Sequence, residues 1–190
     1  GETAYVDSMG VWQGAGGEWA YPGTPIPNLG QYTDESVGRR IFVWDQVNQR
    51  YQMVYGDTGW RDVSGSLDAD WTANLTAPAV LLRRVNNTVQ GIFRVQRVTA
   101  SGNRGSYDTV YTLPTGFTDG YYQVRSIAYS STTAQLGFVG SGVSSSAIEV
   151  VFPDGGTYAN GEVITFSFMS TTTTAWPTTL PGTASGTIPS

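Results

Sequence analysis

The chain has 190 residues and a net charge of −5, with ten basic and fifteen acidic side chains, 13% aromatic residues, and neither Cys nor His. Without Cys there is no disulfide, thiolate metal site or Cys nucleophile; without His the commonest general base and transition-metal ligand are gone. The acidic balance argues against a general nucleic-acid binder, and no stretch approaches the ~18 apolar residues of a membrane span.

In chain order, residues 1–40 show no sustained period. They set Tyr5, Trp12, Trp19, Tyr21 and Tyr32 among Gly/Pro-rich runs that forbid long helices. These aromatics are costly to leave in water, yet about forty residues cannot make a core of their own. The segment therefore reads as an extended arm or neck that lies against something else. Residues 41–66 read as a β-hairpin shoulder: Ile41–Trp44, a turn at Asp45–Gln49, and Arg50–Tyr55 with Tyr51, Met53 and Tyr55 on one face. The tight turn Gly56–Gly59 and a short strand from Trp60 follow. Three such strands are marginal alone, so Trp12, Trp19, Trp44, Tyr51, Tyr55 and Trp60 are the candidate oligomer-interface residues. The first residue is Gly rather than Met, and no signal peptide is visible, which reads as a C-terminal piece of a longer protein.

Residues 67–182 carry a denser pattern. Strands are expected at Val80–Val85, Val89–Val98, Asp108–Leu113, Tyr121–Tyr129, Gln135–Val139, Ala147–Phe152 and Val163–Met169, the first two joined at Asn86-Asn87. In the last, Ile164, Phe166 and Phe168 point inward and Thr165 and Ser167 outward. About seven or eight short strands in roughly 110 residues is the spacing of a β-sandwich or jelly roll. The expected fold is all-β, with a sandwich head after the arm and shoulder, and a flexible tail over 183–190.

Several constellations have bland counterparts. A two-carboxylate glycosidase is chemically open through Asp119, Glu149, Asp154 and Glu162, but three of these acids sit at turn signals, where acids are common for local reasons. Asp68, Asp70 and Asp154 are oxygen donors suited to calcium, but too few to fill its shell; no metal or cofactor is expected. Arg39-Arg40 and Arg83-Arg84 each place one guanidinium on either face of a strand, with Arg94 and Arg97 expected opposite the second pair; an inward one calls for a carboxylate, which a subunit interface could supply. Asn74-Leu75-Thr76 and Asn86-Asn87-Thr88 match the glycosylation sequon, as chance allows in so Thr-rich a chain. Tyr121, Tyr122, Tyr129, Tyr158 and Trp176, near loops, are the candidate carbohydrate-binding residues, because aromatic faces pack on sugar C–H groups; half or more of such rings are ordinarily core or interface.

The stretches IFVWDQVNQRYQMVYGDTGWRDV (41–63), LLRRVNNTVQGIFRV (81–95), TLPTGF (112–117) and YANGEVITFSFMSTTTTAWPTTLPG (158–182) resemble, in that order, the C-terminal region of minor tail or receptor-binding proteins of siphophages infecting actinobacteria. Asn86-Asn87 stands where Gly-Asn is usual, and residues 1–40 lie outside the resemblance. The resemblance implies a homotrimer in the phage tail of the virion, joined to upstream tail components. Its sandwich head would bind a host cell-surface or cell-wall polysaccharide without catalysis, and no nucleic acid or membrane. A purely structural tail-tip or fibre piece, and a bacterial carbohydrate-binding module or polysaccharide hydrolase, are the other readings.

Overall fold

The computed structural model describes residues 5–6, 12–13, 19–20, 31–45, 47–74, 80–118, 124–140 and 146–187, with backbone only for the first three pairs and for 124–125. All regular structure in these residues is β, apart from one 3-10 turn at Ser64–Ser66. The chain divides into two compact units: Gly1–Asp34 with Arg40–Tyr55, and Glu35–Arg39 with Gly56–Ser190.

In the first unit, β1 (Tyr5–Val6), β2 (Trp12–Gln13) and β3 (Trp19–Ala20) form an antiparallel meander of two-residue strands. β4 (Gln31–Asp34), β5 (Arg39–Asp45) and β6 (Arg50–Asp57) are hydrogen-bonded in that order, the last two crossing the unit boundary at their ends. Tyr51, Met53 and Tyr55 are half-buried, alternating with exposed Arg50, Gln52 and Val54, as a period of two requires. Tyr32 stacks on Phe42 at 4.8 Å and meets the edge of Tyr51 at 4.9 Å, and Trp44 meets Tyr51 at 5.1 Å. No described side chain of this unit is fully buried. Among the described residues, the rings of Tyr32, Phe42, Trp44 and Tyr51 cover one another without any being fully buried.

The second unit is a curled antiparallel sheet. Its strands are β7 (Trp60–Asp62), β8 (Trp71–Ala73), β9 (Val80–Val85), β10 (Thr88–Arg97), β11 (Asp108–Thr112), β12 (Val124–Ser130), β13 (Gln135–Gly140), β14 (Ala147–Val151), β15 (Val163–Thr171) and β16 (Thr183–Ser185). The pairing order is β11-β14-β13-β12-β15-β10-β9, with β8 beside β10, β7 beside β9, and β16 on β7. β10 and β11 stand five pairings apart, yet the rings of Phe93 and Tyr111 approach to 5.8 Å. The sheet therefore folds back on itself around one core. The segment after β7 joins its two ends: Val63 N donates to Val80 O, and five residues on Asp68 N donates to Val110 O, both at 3.0 Å. Phe93, Phe166, Phe168, Phe117, Phe152 and Ile148 are at most 5% exposed within that core, and each such side chain contributes about 1.5–3 kcal/mol by leaving water.

Contacts add detail at three places. The chain last passes from the first unit to the second at Gly56, and the Gly56–Gly59 turn is tied to β9 (Thr58 N to Arg84 O, 3.0 Å). After Gly182 the described residues make contacts. Residues 183–185 pair with β7, and Arg61 donates from Nε to Pro181 O and from Nη2 to Gly182 O, both at 2.9 Å. Gly182 fits there because it has no side chain; a Cβ would overlap the carbonyl of Asp62. Lastly, Val89 and Gln90, not Arg94 and Arg97, face Arg84 and Arg83 across the hairpin.

Burial also sets an alkaline limit. Desolvation raises the phenol of Tyr111 from 10.0 to about 12, and that of Tyr158 further still. A folded-state pKa above the unfolded value gives stability that is whole below pH ~10 and is lost as the pH climbs through the folded value. Tyrosinate absorbance and far-ultraviolet circular dichroism, followed together, should therefore show the last rings ionising with loss of strand signal. Titration of all eleven tyrosines with the strands intact would contradict this burial.

Candidate functional site

The Gly-Asp-Thr-Gly-Trp-Arg turn of the second unit contributes to two surface clefts. Asp57 is fully buried; its Oδ1 accepts from Gly59 N at 2.8 Å and from Arg83 Nε at 2.9 Å, while Oδ2 pairs with Arg83 Nη2. One carboxylate thus closes the turn and fixes Arg83, whose guanidinium lies 5.8 Å from the centre of the Trp60 ring. Thr58 Oγ1 accepts from Arg84 N at 2.8 Å. Asn86 adopts φ 51°, and its Oδ1 accepts from Gly56 N at 2.8 Å. That second bond gives Asn a role at this turn which Gly could not fill.

Trp60 is the wall shared by two surface clefts. The first, of about 360 Å³, is lined by Glu35, Arg39, Thr58, Trp60, Arg61 and Thr187 among others. The second, of about 400 Å³, lies over β10 and β15 and includes Gln90, Ile92, Ser126, Ser167 and Met169. Both fall in the size range of small-ligand sites. Arg61 makes no ion pair among the described residues, its two bonds going to neutral carbonyls; burial lowers its pKa, as expected of a cation short of countercharge. No family model, curated protein or solved structure matches the chain. The clefts must be read from their own chemistry: an indole, hydroxyls, an amide and a mixed set of charges, with no cluster of three metal-ligating side chains among the described residues.

The predicted site residues scatter. Tyr121, Tyr122 and Asp119 lie outside the described residues, as do the side chains of Trp12 and Trp19. Tyr129 is 44% exposed on the outer face of β12. Tyr158 offers no ring face to a ligand. It is fully buried, between Trp71 at 5.4 Å and Phe152 at 6.3 Å, with the guanidinium of Arg97 at 5.0 Å. Trp176 is half-buried and committed within its own chain: its Nε1 donates to Val37 O at 2.9 Å, its ring lies 5.0 Å from the Arg84 guanidinium, and it covers Gly56. Trp44, Tyr51 and Tyr55 are half-buried in the first unit; Trp60, grouped with them by sequence, stands at the clefts instead. Of the candidate acids, Glu162 is fully buried, accepting from Ser130 Oγ at 2.7 Å and Ala159 N at 3.1 Å beside Arg104. Glu149 is also buried, and Asp154 pairs with Arg104 at 3.1 Å. Asp70 pairs with Arg97, and Asp68 accepts from Asp70 N.

Sequence reasoning missed Glu35, Arg39, Arg61 and Thr187 as cleft residues. It also missed an exposed apolar face: Ile127 pairs with Phe138 and Tyr129 with Leu136 across β12 and β13, and all four side chains are at least 44% exposed.

Proposed function

We propose that the chain is the distal, non-catalytic part of a bacteriophage tail receptor-binding protein, which recognises a host cell-surface polysaccharide. The observation that carries this reading is the Trp60 cleft pair, an aromatic wall flanked by hydroxyl, amide and charged groups on a chain with neither His nor Cys. The ordered likeness of residues 41–182 to tail proteins of siphophages supports the same reading. The curled sheet would serve as a sandwich-like head of a homotrimer, attached through the first unit to upstream tail components. Two features support association: described first-unit rings of which none is fully buried, and the outer face bearing Ile127, Leu136 and Phe138, an apolar patch of the kind that partners cover. Three weak sugar sites on one axis would then gain avidity.

The test is adsorption of the fluorescently labelled protein to intact actinobacterial cells, with light scattering for mass. A trimer that labels cells, and loses labelling on Trp60→Ala while keeping its melting temperature, is the expected result. A trimer that labels no cells favours a purely structural tail piece. A monomer that binds or cleaves cell-wall glycan favours a bacterial module.

A further inference from the structure

We propose that the two clefts form one groove for an acidic polysaccharide, with the anionic group seated at the Arg61 end and the uncharged sugar faces passing Trp60 toward Ile92 and Met169. This deepens the receptor-binding reading and rests on it for the ligand being a glycan. Three observations carry the acidic specificity. Arg61 is partly buried and holds its place through the carbonyls of Pro181 and Gly182, so its charge meets no carboxylate among the described residues. A second cation, Arg39, lines the same cleft, and exposed Glu35 is the one carboxylate among its described lining residues. Among the described residues that line this end of the groove, two are cations and one is a carboxylate. An incoming carboxylate or phosphate supplies the countercharge that burial makes valuable, and the guanidinium fork suits either oxyanion. The far end is different in kind. Gln90, Ser126 and Ser167 offer uncharged hydrogen-bonding groups beside Ile92 and Met169, which suits the polar rim and apolar face of an uncharged sugar. Because Trp60 walls both clefts, one polymer strand can occupy the two together.

The experiment measures direct binding of the intact protein to three soluble polymers of similar length: an oligogalacturonate, a glycerol-phosphate polymer and neutral dextran. At least one anionic polymer should bind and dextran should not; which of the two binds tells carboxylate from phosphate. Glu35→Gln removes the one negative charge among the described lining residues, from an exposed side chain, and should tighten anionic binding by roughly threefold to fivefold at low salt, with the gain fading as salt is raised. Trp60→Ala should weaken it at least tenfold. Arg61→Met should abolish it; since Arg61 also anchors the C-terminal segment, the Glu35 variant is the cleaner arm. Equal binding of dextran, no binding of either anionic polymer, or a Glu35→Gln variant indistinguishable from wild type overturns the proposal. Cell adsorption is scored beside it. Cells bound without polyanion preference leave the receptor reading standing and remove only the acidic groove. A polyanion bound by a protein that adsorbs to no cells does the reverse.

Discussion

Arg84→Met should unfold at a markedly lower urea concentration than wild type, with a loss of about 4 kcal/mol. Arg84 is 2% exposed on the inner side of β9. Its Nε donates to Asn86 O at 2.7 Å, Nη1 to Ala175 O at 2.9 Å and to Gly116 O, and Nη2 to Thr174 O at 2.9 Å. The Trp176 ring lies against the guanidinium. Met matches the apolar stem and could still touch Trp176, so the loss isolates the bonds. Four carbonyls lose their donor, and those that cannot reach water cost about 1–3 kcal/mol each. Lys, a point charge on a flexible stem, cannot span donors set in a plane, and Arg84→Lys should recover less than half of the loss. A Met variant within 1 kcal/mol of wild type would mean that these carbonyls are hydrated and that the C-terminal segment is held by packing alone.

This arginine also explains what the sequence could and could not disclose. The stretches that drew attention by their order, the Gly-Asp-Thr-Gly-Trp-Arg turn, the Arg-Arg hairpin, Leu-Pro-Thr-Gly-Phe and the Trp-Pro…Leu-Pro-Gly end, converge in space. Arg84 bonds Gly116 and the residues just before Trp176; Gly116, at φ 89°, leaves no room for a Cβ against Pro177; and Gly182 lies on Asp62. Most of these residues hold the chain together and few are offered to a ligand, so reading them reached the fold more readily than the site. Strands were legible because a period of two is written directly in the residues: Ile164, Phe166 and Phe168 are buried, Thr165 and Ser167 exposed. The same parity assigns Arg84 inward, since it shares a face with buried Val80 and Leu82. What parity cannot supply is the partner. A carboxylate was expected inside, but Asp57 went to the outward Arg83, and Arg84 took carbonyls from segments up to 91 residues away. Tyr158 looked like a loop aromatic because it lies between turn signals, yet the curl of the sheet closes over it. The cleft joins residues 35–39, 58–61 and 180–187, and no local pattern signals so distant a meeting.

The second large effect concerns Arg97, and here pH distinguishes the mechanism. Arg97 is 1% exposed; its Nη1 pairs with Asp108 Oδ2 at 2.8 Å and its Nη2 with Asp70 Oδ2 at 2.9 Å, while Trp71 and Tyr158 flank the guanidinium at 4.8 and 5.0 Å. Burial raises the pKa of Asp108 above 3.8 even with Arg97 pulling it down. Arg97→Met keeps an apolar filling between the two rings but removes that pull, so at neutral pH a half-buried carboxylate is left without its countercharge. The expected loss is about 3–5 kcal/mol. In the variant the Asp108 pKa rises further above its unfolded value. A carboxyl group shifted that way favours the folded state in acid, and the contribution disappears as pH rises through the folded pKa. The deficit relative to wild type should therefore be smallest in acid and grow toward neutral pH, as the raised carboxyl group ionises. Adding Asp108→Asn to Arg97→Met removes the charge and should flatten this dependence while restoring part of the stability. Urea midpoints for wild type and both variants across that range decide the matter. A deficit constant with pH would assign the loss to packing against Trp71 and Tyr158, and would leave Asp108 a solvated acid whose pairing with Arg97 adds little.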